Sequence, residues 1–215
     1  MGSLSLRHVR SAADRTAVLR LRDSVYVHDQ GRLVDAADTA ETFDRFDDRA
    51  EYILGCLDAE PVGTIKVVPD TAAGLPCDDV VDLAEIRPGH RLVEFGHLMT
   101  LPEVRHHRIG MALMREALVH SVREHRVTRV LGDFFADDSG GLRSFYTQLG
   151  FVPVGRPYPD TRFRGAPLSV VGMLDIDHAV RLARTPEGRA VQGLQYFFGD
   201  YDTYAGGLPA PAAGR

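Results

Sequence analysis

The segment from Leu92 to Phe135 sets the strongest constraint on how this chain can fold. An apolar run, Leu92 to Thr100, is closed by Pro102. A basic stretch follows, Arg105-His106-His107-Arg108, and then a helical pattern to Val122. In that pattern Ile109, Leu113, Ala117 and Ser121 share one side, and Ala112, Leu118 and Val122 widen it. Val127 to Phe135 reads as a second buried strand. Two strands joined by a helix with one apolar face bury that face against their own sheet, so the unit predicts the centre of an α/β domain.

The flanking segments extend the sheet on both sides. Leu4 to Val9 predicts a short strand. Ser11 is an N-cap candidate, with Asp14 three positions on, for a helix through about Val27 that carries Val18, Leu19, Leu21 and Val25 as its apolar stripe. Gln30 to Asp48 is polar and rich in Asp, and reads as loop with one short helix around Ala37 to Phe43. Tyr52 to Leu57 and Val62 to Val68, joined by Asp58-Ala59-Glu60-Pro61, predict an antiparallel hairpin. Pro69 to His90 reads as an insertion beside the sheet. Ser139 to Leu149 predicts a short helix, and Phe151 to Gly155 and Leu168 to Ile176 the last strands. The expected fold is a mixed sheet with helices on its faces, one domain over residues 1–183. Residues 184–204 hold Tyr196, Phe197, Phe198, Tyr201 and Tyr204, which read as a cover over an open sheet edge or as a homodimer contact. A Gly/Pro/Ala tail, 205–215, reads as flexible.

Composition narrows the function classes. With 44% hydrophobic and 26% charged residues the chain is ordinary globular protein, and no apolar run approaches the roughly 20 residues that span a bilayer. Cys56 and Cys77 read as reduced thiols and the first residues lack the apolar core of a leader, so a cytoplasmic setting is expected. The net charge of −5 supplies no global field for nucleic acid, and any polyanionic ligand needs a local patch. Arg105, His106, His107, Arg108 and Arg115 form one. Unpaired N–H groups and the dipole at a helix start favour phosphate there; the alternative is a solvated, basic helix start.

This stretch resembles the acyl-CoA-binding motif of the GNAT superfamily, a basic residue or Gln followed by x-x-Gly-x-Gly/Ala at a helix start. Arg105 takes the first position and Gly110 the last, with Ile109 as the apolar residue between the two glycines; Arg108 stands where the first glycine belongs. Ser144-Phe145-Tyr146-Thr147-Gln148-Leu149-Gly150-Phe151 resembles the superfamily's later Phe-Tyr-x-x-Leu-Gly-Phe signature. Arg22, Val25, Tyr26 and Gly31, together with Glu94-Phe95-Gly96-His97-Leu98, are similar to the autoinducer-synthase and N-acyl amino acid synthase branch, with His97 in place of that branch's Arg.

The resemblance implies a central, mostly antiparallel, splayed sheet flanked by helices, and an N-acyltransferase. It implies direct transfer of an acyl group from acyl-CoA, or from the phosphopantetheine of an acyl carrier protein, to a small amine. Leu98, Met99 and Thr100 would line the donor on the central strand, and Arg105, His106, His107, Arg108, Ile109, Gly110 and Met111 its phosphate loop and helix start. Glu94 or His97 would take the amine proton, and Tyr146 would protonate the leaving thiolate. Glu94 and His97 lie three apart, so they face one site only if the strand is bulged. Arg22, Tyr26 and His28 would fix the acceptor. A charged tRNA as donor, and a GNAT-fold binding module without catalysis, are the alternatives. No metal is expected, since His106-His107 lack ligand spacing.

Overall fold

The computed structural model describes residues 2–35, 45–137 and 142–206. The expected helix around Ala37 to Phe43, residues 138–141 ahead of the later helix, and the tail from 207 lie outside them.

Seven strands form one sheet: β1 (Leu4–His8), β2 (Glu51–Leu57), β3 (Glu60–Pro69), β4 (Leu92–Thr100), β5 (Arg129–Phe135), β6 (Phe151–Tyr158) and β7 (Ser169–Asp175). Their order is β1-β2-β3-β4-β5-β7-β6. Every neighbouring pair is antiparallel except β4 and β5, the two strands joined through the central helix. Asp58 and Ala59 both take positive φ at the β2–β3 turn, which matches the right-handed twist of a tight hairpin.

The helices α1 (Ala12–Arg22), α2 (Ile109–His125), α3 (Leu142–Gln148), α4 (Ile176–Arg184), α5 (Pro186–Arg189), α6 (Gln192–Phe198) and α7 (Tyr201–Ala205) flank the sheet. Ser11 caps α1 and forms a reciprocal box with Asp14. The first helix does not run regularly to Val27: past Arg22 it widens into a π-helical turn, Asp23–Asp29, in which the Gln30 N–H reaches back to the Val25 carbonyl at 2.9 Å. The expected helix from Arg105 is also corrected. Pro102–His107 is a 3₁₀ turn, Arg108 is left-handed at φ 58°, and the α-helix begins only at Ile109. The last strand ends at Asp175, whose side chain caps a helix that the apolar run to Ile176 concealed.

α2, α4 and α6 cover one face of the sheet, where Ile53, Ile65, Val67, Val93 and Val130 meet Leu113, Ala117, Val122, Ala179, Leu194 and Phe197. Part of the aromatic segment lies in this core: Phe197, Phe198 and Tyr204 are buried while Tyr196 is exposed, and the Tyr204 hydroxyl donates to the Phe197 carbonyl at 2.7 Å. The opposite face is covered in two parts. α1 packs on Tyr52, Leu54 and Cys56, and Phe46 with the segment around Leu75, Cys77 and Leu83 packs on Val68, Leu92, Leu131 and Val171. No helix among the described residues is long and apolar enough to cross a membrane.

Candidate active site

The site follows from one irregularity in β4. β3 and β4 pair regularly as far as Lys66 with Gly96; Thr64 then pairs with Met99, so β4 holds an extra residue. His97 absorbs it with φ 47°. A bulge bends its strand and re-aims the side chains on either side. On the other edge, the parallel ladder to β5 stops at Phe95 opposite Gly132, while both strands continue. The two central strands separate there. Their separation opens a cavity of about 500 Å³ that reaches past Tyr26, Lys66, Glu94, His97, Thr100, Arg105, Gly110, Asp133, Tyr146 and Arg162.

The bulge brings Glu94 and His97 to the same cavity, the condition that their spacing demanded. Glu94 is 6% exposed, and its Oε2 accepts the Cys77 N–H at 2.8 Å. Burial raises its carboxyl to about 7, with the nearby Asp133 adding to the effect. Asp133 comes from the adjacent strand, where burial also raises its carboxyl while the Tyr158 hydroxyl, donating at 2.5 Å, opposes the rise. Burial holds His97 well below its usual value, helped by the Arg22, Lys66 and Arg162 charges, so the ring is neutral. Its Nδ1 lies 3.0 Å from the Tyr26 hydroxyl, whose titration burial moves to about 12. Phe163 packs against the Tyr26 ring, and Arg162 holds Asp160 through two parallel bonds of 2.8 and 2.7 Å. Asp133, Tyr158, Asp160 and Arg162 escaped the sequence reading; each is an isolated polar residue that only the packing of β5, β6 and the following turn brings together.

Tyr146 stands on the other side of the opening, against Phe134, Phe145 and Phe151. Its hydroxyl hydrogen-bonds no protein group among the described residues, and burial raises its titration to about 12. Leu98, Met99 and Thr100 line the wall between. At the start of α2 no side chain caps the first N–H groups. Gly110 and Arg105 reach the cavity, and Arg105 also pairs with Asp29. His106, His107 and Arg108 are exposed, Ile109 is buried beneath the helix, and Met111 packs against the core. The left-handed geometry that a glycine would favour at Arg108 is thus kept with an arginine, at a cost of roughly 1–2 kcal/mol.

The acceptor trio separates. Tyr26 lines the cavity, placed there by the π-helical turn, a form frequent at functional sites. Arg22 is fully buried, donating to the Tyr52 hydroxyl at 2.6 Å, 4.0 Å from Asp47 and outside the cavity wall. His28 is largely exposed beside Asp23, at 3.3 Å. A helical repeat cannot hold Arg22 and Tyr26 on one line once the turn widens.

The profile of the N-acyl amino acid synthase FeeM family matches residues 17–173. No curated protein matches the chain in sequence. Among solved structures, FeeM, an N-acyl amino acid synthase from uncultured soil microbes, superposes with a TM-score of 0.70 at 18% identity, over 89% of this chain and 100% of that one. Escherichia coli ElaA gives 0.58 at 20% identity, over 81% and 100%. The CoA-dependent acyl-homoserine lactone synthase BjaI, solved with SAM and isopentyl-CoA, gives 0.58 at 18%, over 80% and 83%. These identities establish a shared fold, and the profile match over most of the chain establishes the family. The chain belongs to the N-acyl amino acid synthase FeeM family and is an enzyme of the GNAT acyltransferase superfamily.

Proposed function

We propose that the enzyme transfers an acyl group directly from a thioester, acyl-CoA or the phosphopantetheine of an acyl carrier protein, to the amine of a small molecule, with free amino acids the leading acceptor class. The observation that carries this reading is a buried carboxylate, Glu94, raised to about 7 and facing the opening between β4 and β5. A carboxylate with that affinity for a proton is matched to accepting one near neutrality. The likeness to FeeM supports the acceptor class. The likeness to BjaI, a CoA-dependent synthase, supports a CoA thioester as donor.

The amine enters from the side of Tyr26, Phe163 and Arg162, where the guanidinium suits an acceptor carboxylate. Its nitrogen attacks the thioester carbonyl, forming the C–N bond. Backbone N–H groups of β4 beyond the end of the β5 ladder stabilise the oxyanion. Glu94 takes the proton from nitrogen, and the C–S bond breaks as the Tyr146 hydroxyl protonates sulfur. The neutral His97, held by Tyr26, keeps the acceptor channel free of added positive charge. The uncapped start of α2 and Arg105 hold the donor's phosphate.

The test incubates the purified protein with acetyl-CoA, longer acyl-CoAs, acyl-acyl carrier protein and charged tRNA, each with pooled amines that include the amino acids, and follows donor and product by mass spectrometry. N-acylated product from one thioester, lost in Glu94→Gln, supports the reading. Product from charged tRNA alone would move the donor assignment. Stoichiometric donor binding without turnover would make the chain a binding module.

A further inference from the structure

We propose that His8, Glu51 and His120 bind a divalent first-row transition-metal ion of the zinc class, at a site separate from the acyl-transfer cavity. The three residues come from distant parts of the chain: the end of β1, the start of β2 and the C-terminal half of α2. His8 shares a face of β1 with Leu6, and Glu51 a face of β2 with Ile53, so both side chains meet α2 where it crosses the sheet margin. One ligand atom from each of the three lies within 4.8 Å of the others. The His8 and His120 ring centres are 4.4 Å apart, and His120 Nε2 already contacts Glu51 Oε2. Zinc holds imidazole nitrogen and carboxylate oxygen at about 2.0–2.2 Å, so its ligand atoms stand roughly 3.4 Å from one another. Small side-chain rotations close the triad around one ion.

The surroundings fit a cation. Glu51 Oε1 is 2.7 Å from His125 Nε2, which leaves Oε2 toward the triad; a ligating carboxylate is itself hydrogen-bonded in such sites, and this third imidazole supplies that support. Glu116, 3.7 Å from His8 Nε2, adds another negative charge. The side chains of His8, Glu51 and His120 are 25, 31 and 18% exposed, enough for an ion to enter and to keep a solvent ligand. Two imidazoles with one carboxylate favour zinc, cobalt, nickel or copper over magnesium and calcium, which prefer oxygen. A metal here ties the edge strand β1 and the start of β2 to α2. The sequence conceals the group because its members are single residues far apart, without any paired-ligand spacing.

The test titrates chelator-treated, full-length protein with Co(II), reads its visible ligand-field bands, displaces the cobalt with Zn(II), and follows thermal melting. The site predicts saturation at about one ion per chain and a rise in melting temperature with Zn(II). His8→Gln and His120→Gln should each abolish the bands, and His125→Ala should weaken binding about 10–100-fold. Metal-free melting curves verify that each variant is folded, and Glu51→Gln substitutes for any that is not. No cobalt bands in the wild type would overturn the proposal. So would bands that survive in the His8→Gln/His120→Gln double variant, or that vanish in His106→Ala/His107→Ala.

Discussion

Two charged groups share the face of the sheet opposite α2, one wholly buried and one lining the cavity. In the first, Asp47 stands among cations: Lys66 Nζ is 3.3 Å from Oδ2, Arg22 is 4.0 Å from Oδ1, and the Tyr52 hydroxyl donates to the same carboxylate. In the second, across the strands, Glu94 faces another carboxyl, Asp133; the Cys77 N–H and thiol meet Glu94, the Tyr158 hydroxyl donates to Asp133, and Arg162 is the nearby cation. Asp47 and Glu94 are both buried, while Asp133 is open to the cavity, and desolvation pushes the Glu94 and Asp133 carboxyls up. A buried charge that is balanced by its neighbours holds elements together, here α1, the turn before β2, and β3. Glu94, with Arg162 shared among it, Asp133 and Asp160, titrates near neutral pH and can exchange its proton there. The polar residues on this face thus divide into architecture and chemistry by the partners each carboxyl has.

The largest effect expected from breaking this division lies at Glu94. Glu94→Gln should lower kcat/KM about 10²–10⁴-fold, measured by steady-state kinetics. In the native enzyme kcat/KM should rise with pH around 7, as Glu94 loses its proton; a profile flat through that range would move the base to His97. Stability should move the other way. An acid raised from 4.5 to about 7 holds its proton more tightly in the folded state, so folding weakens as pH rises between those values. The loss amounts to about 3 kcal/mol above pH 7. Glu94→Gln should therefore melt higher than native protein at pH 8 and lose that advantage at pH 5.

The balanced group should respond through stability. Asp47→Ala strands Lys66 and Arg22 in the interior and should cost about 3–5 kcal/mol by urea unfolding. A cost below about 1 kcal/mol would show that the group is not held by charge. Tyr146→Phe should lower kcat about 10²-fold with the melting temperature unchanged, because the hydroxyl has no protein partner among the described residues to lose. A lower melting temperature with kcat intact would return Tyr146 to the core. The smallest effect is expected at Arg108→Gly, which relieves the left-handed φ of 58° and should add about 1 kcal/mol of stability. The same substitution tests whether the exposed guanidinium contributes to the donor KM.

Much of the architecture was legible along the chain because its signals are local. Two short apolar runs joined by Asp58-Ala59-Glu60-Pro61 wrote the β2–β3 hairpin, Ser11 with Asp14 wrote the first helix start, and the 3.6-residue repeat wrote α2. Local signals also failed where a neighbouring element overrode them. Ile176 continues the apolar run of β7, but the Asp175 cap turns it into a helix. The resemblance grouped Arg22, Tyr26 and His28 at the acceptor, and the π-helical turn leaves only Tyr26 of the three on the cavity wall.

By itself the sequence determined the mixed sheet and the strand–helix–strand centre, since periodicity and turn chemistry act between residues close in the chain; the candidacy of Glu94, His97, Arg105, Gly110 and Tyr146 came from the resemblance of its motifs to the GNAT superfamily. Only the tertiary structure decided that Glu94 and His97 face one cavity, that burial, with Asp133 beside it, raises Glu94, that Arg22 is a buried pillar, and that His8, Glu51 and His120 meet. Those outcomes depend on register, on a single extra residue in β4, and on which strands neighbour one another. They arise from contacts between residues distant in sequence, whose energies no local pattern records.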